Sequence, residues 1–295
     1  MKLTVNGLLV NPVLGTVRLE KSREEAAAAL TATLWTAPAD TYFQKPSLAV
    51  GDVVRLTDDS GTERFLGSVH CLERSPEKVT LTAFDRGVYL SRNEVYGVFA
   101  GTGADICRQV AGKLGIGVGS IDAGGGYQVI TALSGENAFA ILRKAAGPGR
   151  EVTVRGTALT VRKTGTETLS LAPERVLEVS ASADIRKVVD RCVVVNRKGY
   201  PLATAENGGD VAAYGLFQKV AGKSGDASQQ AKSALSGRAM TAGVRILGDL
   251  AFRVGSRVQG NLPQWGLEGL YTVTAVCHRW EAGTFTTELT LEGDA

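Results

Sequence analysis

The 295-residue chain carries 33 Lys and Arg against 30 Asp and Glu, a net charge of +3. With 44% hydrophobic and 21% charged residues it has the composition of a globular protein, and so small a positive excess argues against a nucleic-acid or anionic-membrane binder. No stretch approaches the roughly 18–20 apolar residues of a membrane span. The opening MKLTVNGLLVNPVLG, broken by polar residues and Pro12, does not read as a signal peptide. Cys71, Cys107, Cys192 and Cys277 lie far apart with no Cys-x-x-Cys pair, which predicts free thiols and a reducing compartment.

Residues 1–95 read as a β-domain. Apolar and polar residues alternate over Leu30–Trp35 and Val79–Thr82, between turn signals at Asn11-Pro12, Asp58–Gly61 and Ser75–Glu77. Residues 96–180 change character. A helix is expected from Gly103 to Leu114, with Thr102 and Asp105 as a capping pair and Ile106, Val110 and Leu114 on one face. A second helix is expected from Glu136, capped by Ser134 and stopped at Gly147-Pro148-Gly149, followed by a hairpin turning near Gly156. Residues 181–295 return to strands, beginning with the β-branched run Val188–Asn196. Gly199–Gly225 reads as a long loop, Ser228–Met240 as a helix, and three strands close the chain. An internal echo links VGDVVRL (50–56) with VGSRVQG (254–260). Each is followed by a hairpin, with Val69-His70-Cys71 falling near Val276-Cys277-His278. The fold class predicted is α+β, mainly β: two tube-like β-barrel domains (1–95 and 181–295) flanking a small α+β middle domain (96–180).

Four patterns invite a chemical reading. VYGVFAGTGADICRQVAGKLGIGVGSID (95–122) imitates a dinucleotide fingerprint. However, its third glycine position is Ile106, and no further β-α alternation follows. The two histidines, His70 and His278, each neighbour a cysteine. Adjacent strand residues point to opposite faces, so neither pair makes a zinc site, and no Gly-x-Ser-x-Gly elbow accompanies them. Asp58-Asp59 fits an ordinary turn better than a glycosidase pair. Gly222-Lys223-Ser224 ends like a phosphate loop, but Phe217 stands where its leading glycine belongs. No catalytic residue, cofactor or metal site is therefore expected, and the chain is read as a protein that works through its surfaces.

VGDVVRL with FLGSV, LTAFDRGVYLSRNEVYGVF with GADICRQVAGKLGI, SGENAFAILRKA, AYGLFQKV, and ILGDLAFRVGSRVQ leading into GLYTVTAVCHRW occur in an order that resembles the XkdQ-type baseplate hub proteins of contractile phage tails and tail-like bacteriocins. The resemblance implies a structural, non-enzymatic hub with no cofactor. It would be a homotrimer whose two barrels per chain give six similar units, adapting a sixfold tail tube to a threefold central spike. The implied partners are the tail tube protein, the spike protein, the tape-measure end and LysM-type hub-associated proteins. The implied location is a virion tail assembled in the host cytoplasm, without membrane contact at rest. A tail-tube initiator or adaptor ring of other stoichiometry and a tail-associated cell-wall hydrolase are the alternatives. Val53, Val54, Leu56, Val254 and Val258 are candidate ring-edge residues; Tyr214 and Phe217 are candidate docking aromatics.

Overall fold

The computed structural model describes residues 1–37, 40–43 and 46–293. The chain opens with β1 (Lys2–Val5), β2 (Leu8–Leu9), β3 (Leu14–Ser22), β4 (Ala29–Trp35), β5 (Val53–Thr57), β6 (Glu63–Arg74) and β7 (Lys78–Asp85). In β4 and β7 every second residue is buried, Leu30, Ala32 and Leu34 facing the same core as Val79, Leu81 and Ala83. This is the period-two pattern of a sheet with one face inside. The strands lie in the order β3-β4-β7-β6-β5-β1, all antiparallel.

A middle body follows: α1 (Val88–Arg92), β8 (Glu94–Thr102), α2 (Gly103–Lys113), β9 (Gly117–Ile121), β10 (Tyr127–Asn137), α3 (Ala138–Ala146), β11 (Arg150–Arg155) and β12 (Ala158–Lys163). The expected capping pair is in place. Thr102 Oγ1 accepts from the Asp105 N–H at 3.2 Å, and Asp105 Oδ2 accepts from the Thr102 N–H at 3.1 Å. The glycines of the fingerprint-like turn have packing roles. Gly101 has φ +136°, and a Cβ on Gly103 would lie 2.2 Å from the Ala145 carbonyl oxygen, where α2 meets the end of α3. Ile106, Val110, Ile141 and Leu142 fill the core between these helices and the strands. The cap of α3 is Asn137, not Ser134, because β10 runs on to Asn137.

The chain then forms β13 (Thr168–Ser170) and β14 (Val176–Asp184), leaves for an insertion, and returns as β18 to β21. The insertion comprises β15 (Arg191–Val195), β16 (Pro201–Glu206), α4 (Gly208–Tyr214), β17 (Gln218–Gly222) and α5 (Ala227–Ser233). The expected loop at 199–225 is thus folded. Its sheet packs on α5 through Cys192 and Val194 of the β-branched run and through Ala203, Ala205, Ala221 and Ala231, small side chains scattered among polar ones. The helix expected over 228–240 stops at Ser233, because β18 (Ala239–Leu247) needs the residues that follow. β19 (Arg257–Leu262), β20 (Leu267–Glu281) and β21 (Thr284–Gly293) complete the chain. Packing groups cross the expected domain limits. Leu90 and Val95 join the middle core, and β13 and β14 join the sheet of the C-terminal strands.

The echo is a structural repeat. The order β14-β18-β21-β20-β19-β13 reproduces β3-β4-β7-β6-β5-β1. Val54 opposes Gly67 as Val258 opposes Tyr271, a shift of 204 residues on both strands. The Gly51 N–H donates to the Val69 carbonyl (2.8 Å) and the Val69 N–H to that of Asp52 (2.9 Å). Gly255, Val273 and Ser256 repeat both bonds at 2.9 Å. Gly51 and Gly255 have φ +95° and +82°, which explains why each copy begins Val-Gly. Bulges recur after Val69 and Val273, and after Leu14 and Val176. This register puts His70 opposite Thr274 in the comparison and Cys71 opposite Ala275, so the Cys-His likeness noted in the sequence is a three-residue misalignment. The repeat breaks at its last strand: β1 runs antiparallel to β5, whereas β13 runs parallel to β19.

One joint fuses the two units into a single sheet. β20 outreaches β19, and its second half, Ala275–Glu281, pairs with Ser22–Thr16 of β3. His278 lies inside this joint, its Nδ1 3.0 Å from Thr287 Oγ1. Burial pushes the imidazole down to about 4, with Arg64 acting in the same direction.

Two predictions follow from this packing. Gly103→Ala should cost about 1–3 kcal/mol in denaturant unfolding by forcing α2 off α3. Gly112→Ala, in open space on the same helix, should be neutral or stabilising by up to about 1 kcal/mol. An unfolded chain takes up a proton on His278 below about pH 6.5, whereas the folded chain does so only near 4. Stability should therefore fall as pH drops through that window, by on the order of 2–3 kcal/mol from this group. Urea unfolding at pH 6.5 and 4.5 should give a shallower pH slope for His278→Gln than for the parent; equal slopes would contradict this role.

Candidate docking surfaces

A strand offers its backbone to a second chain only where one side is unpaired. β5 lies between β1 and β6, and β19 between β13 and β20. Val50–Leu56 and Val254–Gln259 are therefore interior strands rather than the expected ring edges. Val54, Leu56, Val254 and Val258 are 0–2% exposed and fill their own cores, while Val53 is exposed. Tyr214 is half-buried at the end of α4, and Phe217 is exposed just before β17. The structure does not bring these seven residues together.

The open edges are elsewhere. β14 has a strand on one side only, and from Ser180 to Ala183 every residue is exposed. β6 from Cys71 to Arg74 pairs with β7 but has passed the end of β5, and Cys71, Glu73 and Arg74 are exposed. No alternating apolar run marks either segment, so sequence reading missed both.

Two sheet faces are also uncovered. β8 and β10 bury Phe99 and Ile130 against the helices. Their other side presents Tyr96, Val98, Tyr127, Val129 and Leu133, which are 55–85% exposed. Nearby, Lys113 Nζ sits 5.0 Å from the centre of the Tyr96 ring and donates to the Tyr96 carbonyl. In the insertion Tyr200, Leu202, Leu216, Phe217 and Val220 are exposed. Apolar side chains gathered on one exposed sheet face, as on β8 and β10, are characteristic of contact sites.

The first unit, the middle body and the second unit meet around a cleft of about 430 Å³ bounded by Lys21, Arg64, Asp85, Glu151, Arg162, Phe252 and His278. Its charges are engaged in ion pairs or held by burial. Glu151 Oε2 accepts from Nε and Nη2 of Arg162, both at 2.9 Å. Burial pushes the Lys21 ammonium down and the Asp85 carboxyl up, each opposed by the other's charge. Lys21 donates to the carbonyls of Glu25 and Ala26, which fastens the β3–β4 connection. Across the same junction Arg143 of α3 grips both carboxylate oxygens of Glu24, at 2.6 and 3.3 Å.

The remaining sequence candidates have structural uses. Asp58 accepts from the Ser60 hydroxyl, the Thr62 N–H and Arg64, which hold its carboxyl at about 2 and organise the β5–β6 turn. In Gly222-Lys223-Ser224 the backbone N–H of Lys223 donates to Val195 and that of Ser224 to Gln230, so the groups a phosphate would need are occupied. Among the described residues no group of three His, Cys, Asp or Glu could hold a metal ion, and no helix is long and apolar enough to cross a membrane.

Solved structures share this architecture over nearly the whole chain. A 43 kDa tail protein of prophage MuSo2 from Shewanella oneidensis has TM-score 0.74 at 14% identity, covering 98% of this chain and 96% of that one. The tail protein of Neisseria meningitidis MC58 has TM-score 0.70 at 13% identity, covering 99% and 96%. The Escherichia coli c3393 protein, described as a type VI secretion component similar to the T4 tail proteins gp27 and gp5, has TM-score 0.61 at 9% identity, covering 100% and 77%. No curated protein matches the chain in sequence. The fold is thus one found in phage tail proteins, and because the YQBQ-like family model matches residues 17–292, the chain belongs to the YQBQ-like family.

Proposed function

We propose that this protein is a structural hub of a phage tail baseplate or tail-like particle, a homotrimeric ring joining the sixfold tail tube to the threefold central spike. The observation that carries the reading is the repeat. Two six-strand units of the same order, matching in register except at β1 and β13, are fused edge to edge, and among the described residues β14 and the second half of β6 each keep one side with no paired strand. Three such chains supply six similar units, which satisfies a sixfold partner on one face. The three middle bodies and three insertions preserve threefold symmetry on the other. The fold similarity to tail proteins and to a secretion component likened to gp27 and gp5 supports the same reading.

In this assignment the two units build the ring wall. The apolar faces of β8–β10 and of the insertion, with Phe217, receive the spike, tube, tape-measure or LysM-type partners. The role is non-enzymatic: Asp58, Glu24 and Glu151 are engaged in a turn and in ion pairs, and His278 in the β20–β3 joint. Native mass spectrometry of the pure protein, alone and mixed with tube and spike proteins, should give a species of three chains. A hexamer would favour a tail-tube adaptor ring, and a chain that stays monomeric in every mixture would contradict the hub.

A further inference from the structure

The cleft where the first unit, the middle body and the second unit meet holds more positive charge than its ion pairs account for. Lys21, Arg64 and Arg162 have acceptors inside the protein. Two further guanidinium groups line the same space, Arg155 at the end of β11 and Arg253 shortly before β19. Arg155 makes no hydrogen bond and no ion pair among the described residues. Arg253 is only half engaged: its Nη2 reaches Glu167 at 3.4 Å, while its Nε is buried with no acceptor. A guanidinium carries its N–H donors in a rigid fork, and a buried donor left without an acceptor is costly.

These groups lie close enough to disturb one another. Burial pushes the Arg155 guanidinium down, and the charges of Arg162 and Arg253 act in the same direction. Glu151 and Glu167 oppose them without cancelling them. Glu151 is already held at 2.9 Å by both Nε and Nη2 of Arg162, and Glu167 faces Arg253, so neither carboxylate serves as the counter-ion of Arg155. The space in front of these donors, about 430 Å³, is of the size that small ligands occupy, and Phe65, Val254 and Val276 give the rest of its wall an apolar character.

We propose that this cleft binds a small oxyanion, a carboxylate or a phosphate group, which accepts from Arg155 and from the open Nε of Arg253 beside Arg162. Arginine forks match the paired oxygens of both kinds of group. Arg155 and Arg162 stand on the β11–β12 hairpin and Arg253 on the second unit, so one bound group clamps the middle body to the second unit. The site lies within a single chain and does not depend on ring assembly.

The test uses the whole chain and two probes, inorganic phosphate and acetate, each titrated at constant ionic strength against chloride and read by thermal unfolding. At roughly tenfold excess over its dissociation constant, a bound probe should raise the Tm of the parent by about 3 °C. Arg155→Gln should lose that rise. In chloride alone the same variant should unfold at or above the Tm of the parent, because it removes a repelled charge and breaks no bond. Arg197→Gln, on the exposed surface of the insertion, removes one positive charge elsewhere and should respond as the parent does. Hydrogen exchange locates the site: the probe should slow exchange at 153–158 and 252–256 in the parent and not in Arg155→Gln. Whichever probe acts identifies the class of oxyanion. Equal rises in the parent and Arg155→Gln, no rise beyond chloride with either probe, an equal loss in Arg197→Gln, or protection confined to other segments would overturn the site. An Arg155→Gln chain that unfolds below the parent in chloride would overturn it too, by showing that Arg155 has a counter-ion within the protein.

Discussion

The antiparallel pairing of β20 with β3 is the constraint on which the molecule depends. It makes one sheet of strands that begin 253 residues apart in the chain, Glu281 opposing Thr16 and Ala275 opposing Ser22. Everything between the two strands must be accommodated without breaking that seam. The middle body therefore sits to one side, pinned by the Arg143–Glu24 fork and by Gly87, whose missing Cβ lets the backbone approach Ala26. The insertion leaves and returns between β14 and β18, beyond the far end of the sheet. His278, Thr287 and Asp249 close the seam from inside, a polar cluster whose bonds are met within the protein.

Conservation of register across the repeat separates a duplicated unit from two unrelated barrels. Matching bulges at Val69 and Val273 and matching positive-φ glycines at 51 and 255 are costly local features. Their recurrence at one spacing ties the two units to one geometry. The clearest departure in pairing lies in the strand that flanks β5 or β19. β1 is supplied by an N-terminal hairpin and β13 by the exit from the middle body, and these two connections cannot enter the sheet in the same direction.

Sequence reading reached the features that short-range physics writes clearly. Thr102 and Asp105 announce a helix start because both halves of the box are local. Val50-Gly51 and Val254-Gly255 reveal the repeat because each glycine occupies a conformation other residues avoid. The family resemblance drawn from the sequence agrees with the match over residues 17–292. What stayed hidden depends on partners distant in the chain. VLEVSASAD gives no sign that β14 pairs with β18, because neither face of its exposed end is yet covered. Residues 199–225 looked like a loop because what β16 and β17 add to the core is alanine (Ala203, Ala205 and Ala221), whose burial leaves little trace in hydropathy. The candidate contact residues were drawn to the apolar strands of the echo, and those strands are apolar because they are interior.

A density map of the assembled ring, by electron cryomicroscopy, tests the central claim most directly. The account predicts three chains and six like sheet units in alternation around the axis, the two units of each chain fused through the β20–β3 pairing. A ring of six chains, or three chains whose two units do not alternate around one axis, would contradict it.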